Sequence, residues 1–126
     1  MNEIQFQLRP RGKREADVTV PARGKRPRIA EVLALAISFD DLIRRGLARD
    51  HSALARLGCI SKERVSQIMR LIWLAPDIQQ EILTLPRTPR GRFLVGEVEL
   101  REVASMMLWS EQRVAWGRLL ASGDAT

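Results

Sequence analysis

Apolar residues recur along the chain in six runs with helical spacing. After Pro27, the positions Ile29, Val32, Leu33, Ala36, Phe39, Leu42 and Ile43 keep intervals of three and four, with Ile37 beside them. That stripe predicts a helix over 28–45, closed by Gly46 behind the basic pair Arg44-Arg45. Asp50 is a good N-cap for a short helix over 51–57 carrying Leu54, Ala55 and Leu57. Gly58-Cys59-Ile60 makes a turn, and Ser61 caps the next helix, over 62–74, with Val65, Ile68, Met69 and Ile72 on one side. Pro76 suits the first turn of a helix over 76–84. The segment LPRTPRGRFLVGE, 85–97, reads as a loop. A helix over 98–106 carries Val98, Val103 and Met106, and Ser110 caps a last one over 111–121 with Val114, Leu119 and Leu120.

The first 27 residues have another pattern. Ile4 to Leu8 alternates apolar and polar, and Val18-Thr19-Val20 is a second β-prone scrap, so a short and marginal hairpin is conceivable there. Around them stand two near-copies of one phrase, RPRGKRE at 9–15 and PARGKRP at 21–27. The expected organisation is a basic extended arm (1–27), a helical core (28–84), and an arginine-rich loop with C-terminal helices (85–126). The expected fold is all-α, a bundle of five or six helices.

Charge changes the picture more than composition does. The chain of 126 residues is 45% hydrophobic, enough for a core, and lacks tyrosine. Its net charge is +6, and residues 1–28 hold eight bases against three acids, which is five of those six charges. Such a balance favours a polyanionic partner, nucleic acid before an acidic membrane. A single cysteine and a single histidine exclude an internal disulfide and give no zinc-site spacing. No secretory signal opens the chain, and the run Ile29–Phe39, broken by Glu31 and Ser38, is too short to span a bilayer. A cytoplasmic protein with no membrane association is expected.

Residues 51–70, HSALARLGCISKERVSQIMR, carry the most information. A helix-turn-helix needs a small residue where the second helix crosses the first, apolar residues about the turn, and two anchors inside the second helix. Ala55 is the small residue, Leu54 and Ile60 are the apolar pair, and Val65 and Ile68 are the anchors, with Val65 ten positions beyond Ala55. The segment resembles the DNA-binding helix-turn-helix of bacterial and phage regulators. Its continuation IMRLIWLAPDIQQEI, 68–82, is similar to the helices that come after the motif in ParB-like and KorB-like partition proteins. The stretch 28–83 also resembles small proteins of bacterial mobile elements. One departure stands out: the motif usually has glycine where Cys59 stands, and here glycine comes one residue earlier. Either the turn is shifted or Cys59 takes the less favourable geometry.

With Val65, Ile68 and Ile72 inward, the outward face of 62–74 is Lys62, Glu63, Ser66, Gln67 and Arg70, with Ser61 at its start. These six are the candidate base readers in a major groove. His51, Ser52 and Arg64 are candidate backbone contacts. The arm adds Arg9, Arg11, Lys13, Arg14, Arg23, Lys25, Arg26 and Arg28, for phosphate or the minor groove. Its Arg-Gly-Lys cores at 11–13 and 23–25 resemble the Arg-Gly-Arg core that AT-hooks lay along a narrow minor groove. Arg90-Gly91-Arg92 is a third copy, read as a turn with possible further phosphate contacts from Arg90 and Arg92.

Trp73, Trp109 and Trp116, with Met106 and Met107, are expected to close the core; the alternative is a self-association face. Cys59 is expected to be a half-buried apolar filler. No catalytic set, P-loop or metal cluster stands out, and the Asp40-Asp41 pair points apart on a helix. The expectation is therefore a non-catalytic, sequence-specific binder of double-stranded DNA without cofactor. Its expected role is as a regulator or architectural accessory factor in recombination, segregation or transcription. A homodimer or a recombinase-like partner would dock on the C-terminal Trp/Met cluster. Two rivals are a protein-binding adaptor and an RNA-binding protein.

Overall fold

Local caps set most of the helix ends. The computed structural model describes residues 24–124, and within them the chain is an all-α bundle of six helices. Helix α1, Arg28–Arg44, buries Ile29, Ala30, Val32, Leu33, Ala36 and Phe39 along one stripe. Two residues beyond its end the chain turns away at Gly46, whose φ of 76° is one that glycine alone adopts freely. Helix α2, His51–Gly58, starts on Asp50, whose carboxylate accepts from the Ala53 N–H at 2.9 Å. Helix α3, Lys62–Met69, starts on Ser61, whose Oγ accepts from the Arg64 N–H at 3.0 Å. Helix α4 is Pro76–Leu83, α5 is Glu97–Ala104 and α6 is Trp109–Asp124. The two candidate strands of the arm, and its residues Arg9, Arg11, Lys13, Arg14 and Arg23, lie outside the described residues.

Three expectations are corrected. The helix read as 62–74 ends at Met69 and tightens into a 3₁₀ turn, Arg70–Trp73. Ala75 precedes Pro76 and is held extended at ψ 142°, so an α-helix cannot run on into α4. The change of pitch has a packing consequence. A 3₁₀ turn has three residues per turn, so Ile68, Leu71 and Leu74 stack inward, all buried, and Ile72 is only half-buried. Second, the last helix starts two residues earlier than expected. Ser110 lies inside its first turn, and the Leu108 carbonyl accepts from the Gln112 N–H. Third, the aromatic and methionine cluster does not close the core. Trp116 is buried at 4% exposure, but Trp73 is 69% exposed and Met107 is 93% exposed, with Leu108, Trp109 and Val114 also open to solvent.

One apolar core joins α1, α2, α3, the 3₁₀ turn, α4 and α5, and Trp116 attaches α6 to it. Polar contacts complete the join. Gln112 is 1% exposed, and both ends of its carboxamide are used. Its Oε1 accepts from the Ala75 N–H at 2.7 Å, and its Nε2 donates to the Trp73 and Met106 carbonyls. Gln79 donates to the Ile72 and Leu74 carbonyls. The carbonyls left over where α3 unwinds are thus satisfied by two glutamine side chains. Trp116 Nε1 donates to Glu81 at 3.0 Å, and Arg113 makes a two-point ion pair with Asp77. No helix among the described residues is long and apolar enough to cross a membrane.

Candidate nucleic-acid interface

Helices α2 and α3 meet across a turn of two residues, Cys59 and Ile60, before the Ser61 cap. Cys59 takes the left-handed conformation, φ 55° and ψ 41°, so the turn is not shifted and cysteine sits where glycine would relax. Its side chain is exposed, which corrects the expectation of a half-buried filler. Gly58 closes α2 in helical geometry, and a methyl group there would meet only ordinary contacts, the nearest at 3.7 Å. Leu54 and Ala55 of α2 and Val65 and Ile68 of α3 are all buried in the core, whereas Leu57 faces solvent.

That packing fixes which side of α3 is free. Ser61, Lys62, Glu63 and Arg70 are exposed, and Ser66 and Gln67 are half-buried. Helix α3 packs chiefly on α1, α2 and the 3₁₀ turn. Four of the candidate contacts are fixed by neighbours, in two pairs. His51 Nδ1 and Ser66 Oγ hydrogen-bond at 3.1 Å, so the first residue of α2 is tied to the middle of α3. The Arg64 guanidinium grips the Glu97 carboxylate at two points, 2.5 and 2.9 Å, and also donates to Gln67 Oε1 at 3.1 Å. Arg101, one turn along α5, binds the same carboxylate. Arg64, expected from the sequence to be a backbone contact, is therefore an ion-paired strut between α3 and the start of α5. Ser52 is half-buried on α2.

Hydrogen bonding from Arg64 holds the Glu97 carboxyl below the usual carboxylate range; partial burial opposes this, and the charges of Arg64, Arg101 and Arg28 reinforce it. The same hydrogen bond raises the Arg64 guanidinium above its ordinary value. Sequence reasoning misses Glu97. Its one local signal is the spacing to Arg101, an i,i+4 pair of opposite charge.

The basic phrases are rearranged as well. Lys25 and Thr88 pair as an antiparallel bridge, with N–H to carbonyl distances of 2.8 and 2.9 Å in the two directions. The Arg28 N–H donates to the Gly91 carbonyl at 2.9 Å, and Arg87 Nη1 donates to the Gly24 carbonyl at 3.3 Å. The end of the arm and the arginine loop, 63 residues apart at that contact, thus form one surface. Lys25, Arg26, Arg28, Arg87, Arg90 and Arg92 are all exposed on it.

Among the described residues no group of three or more His, Cys, Asp or Glu side chains is placed to hold a metal ion. Comparison with family models, curated proteins and solved structures returned no match to this chain.

Proposed function

We propose that this chain binds double-stranded DNA in a sequence-specific manner and without catalysis, α3 entering the major groove. The observation that carries the reading is the free face of α3. Lys62 and Glu63 stand exposed on a two-turn helix whose other side is buried, Arg70 is exposed where the 3₁₀ turn begins, and Gln67 is held beside them by Arg64. These side-chain types carry the donors and acceptors that base edges in a major groove require. The net charge of +6 supplies attraction to the phosphate backbone. The resemblance of residues 51–70 to regulator helix-turn-helices, of 68–82 to ParB-like and KorB-like proteins, and of 28–83 to small proteins of mobile elements supports a regulator or architectural accessory factor of a bacterial mobile element or phage.

Selection of bound sites from random duplexes, read by sequencing, tests this. The wild type should return an enriched word. Lys62→Ala with Gln67→Ala should flatten that word, each lost base contact being worth about 1–3 kcal/mol of discrimination. A wild type that enriches no word defeats the reading.

A second reading has its own observation. Trp73, Met107, Leu108 and Trp109 are exposed, and Gln112 holds the Trp73 and Met106 carbonyls at one corner. Large exposed apolar groups of this kind mark contact sites, for a second copy or for a larger DNA-processing enzyme. Sedimentation of the chain alone distinguishes the two: self-association favours a homodimer, and a monomer at high concentration favours an adaptor role.

A further inference from the structure

We propose that residues 24–28 and 87–92 form a second DNA contact, a pre-formed cationic ledge that grips the phosphate backbone whatever the base sequence. The identity of the polyanion as duplex DNA rests on the function proposed for α3; the ledge itself rests on separate observations.

The two segments contain six bases and no acid, so their charge equals that of the whole chain, +6. The remaining residues sum to zero. All six cations are exposed, while the backbone between them is pinned by the Lys25–Thr88 bridge and the Arg28–Gly91 hydrogen bond. Pro27, Pro86 and Pro89 restrict the backbone further, and Pro27 is buried. Cations held on a fixed backbone lose less freedom on binding than the same cations on a tail.

The glycines decide which part of DNA is met. In the hook-like mode, glycine lets the backbone lie against the floor of a minor groove. Here that approach is already used within the protein. Gly24, at φ 84°, lies so close to Thr88 that an added Cβ would stand 2.2 Å from its carbonyl oxygen. Gly91, at φ 72°, lies against the Arg26 carbonyl, an added Cβ falling at 3.1 Å. Gly24-Lys25 and the Arg90-Gly91-Arg92 phrase are thus folded onto each other, and what the two described segments offer outward is guanidinium and ammonium. That chemistry suits phosphate oxygens.

The position fits as well. Arg28 opens α1, which packs on both α3 and α5, Arg92 stands five residues before the first residue of α5, Glu97, and Glu97 grips Arg64 of α3. The ledge therefore borders the flank of α3. A duplex with α3 in one groove has its phosphate backbone along that flank.

The test uses the full chain, a random-sequence duplex of about 20 base pairs, and fluorescence anisotropy between about 50 and 200 mM salt. Lys25→Gln with Arg90→Gln and Arg92→Gln should lower the slope of log K against log salt by about two to three. Affinity should fall about tenfold or more at 100 mM, with the selected word unchanged. Gly24→Ala keeps every charge but cannot keep the bridge, and should weaken binding several-fold. An unchanged slope and affinity in the triple variant overturns the ledge, even if the wild type selects a word through α3. A wild type that selects no word, yet loses random-duplex binding in the triple variant, defeats the α3 reading and keeps the ledge. Tighter binding of a structured RNA hairpin than of the duplex, lost in the same variant, overturns the assignment to DNA.

Discussion

In the α2–α3 pair, each helix starts on its own side-chain cap, Asp50 or Ser61, and buries its own two anchors, Leu54 with Ala55 and Val65 with Ile68. Helices α5 and α6 bury apolar residues too, Leu100, Val103, Ala104 and Trp116, but add polar ties to distant parts of the chain. Gln112 to Ala75, Glu97 to Arg64 and Trp116 to Glu81 each reach more than thirty residues along the chain. The ends of helices capped by their own neighbours are set locally, although their anchors are buried only once α1 and the 3₁₀ turn pack against them. A unit built from distant polar pairs forms only when the whole fold does, and a single side chain can undo it.

The sharpest way to break that contrast is Gln112→Leu. It strands the Ala75 N–H and removes the donor to the Trp73 and Met106 carbonyls, all at a buried site. The expected loss is about 2–4 kcal/mol, read from urea unfolding, with α6 detaching first in hydrogen exchange. A loss under about 0.5 kcal/mol would show that Trp116, Leu119, Leu120 and the Arg113–Asp77 pair hold α6 without Gln112.

Glu97→Gln comes next, at about 1–2 kcal/mol near neutral pH, because Arg64 and Arg101 lose their shared partner. The sign of its pH dependence comes from the depressed carboxyl. A group that ionises more readily in the folded state stabilises it above its ordinary pKa, and the effect disappears as pH falls through the folded value. The gap between wild type and Glu97→Gln should therefore be full above about pH 5 and close as the solution is acidified below it. A gap independent of pH would mean that the variant acts through packing.

The smallest effect belongs to the local unit. Cys59→Gly relieves a left-handed residue and removes an exposed side chain, and should stabilise by about 0.5–1 kcal/mol in thermal unfolding. Destabilisation would show that the cysteine makes a contact of its own.

The same contrast explains what is legible in the sequence. The ends of α1, α2 and α4 fall within a residue of expectation because Gly46, Asp50 and Pro76 act on their immediate neighbours. The unwinding after Met69 is hidden because Ile72 keeps helical spacing with Val65 and Ile68. Only the demand of Pro76 on the preceding residue hints that the helix must stop short. In α6 the apolar pattern misleads. Gln112, Trp116, Leu119 and Leu120 form the inward face at intervals of four and three, and Val114 lies off it. A polar residue on an apolar stripe is the signal for Gln112, and it points to a buried partner rather than to solvent. On the candidate interface, the exposed side of α3 is legible from its anchors. That Arg64 is spent on Glu97, and that the second and third basic phrases pair with each other, depends on loop closure, which no local pattern encodes.

The 3₁₀ turn leaves α3 with eight residues, a rod about 12 Å long. Laid along a duplex, that length covers about four base-pair steps of 3.4 Å each. A word of four letters recurs by chance roughly every 250 positions, so one such rod cannot mark a unique address in a genome. An address would need either two rods at a set separation or a sequence whose flanks bend to meet the protein, and the brevity of this helix makes the choice between them the first thing a footprint would show.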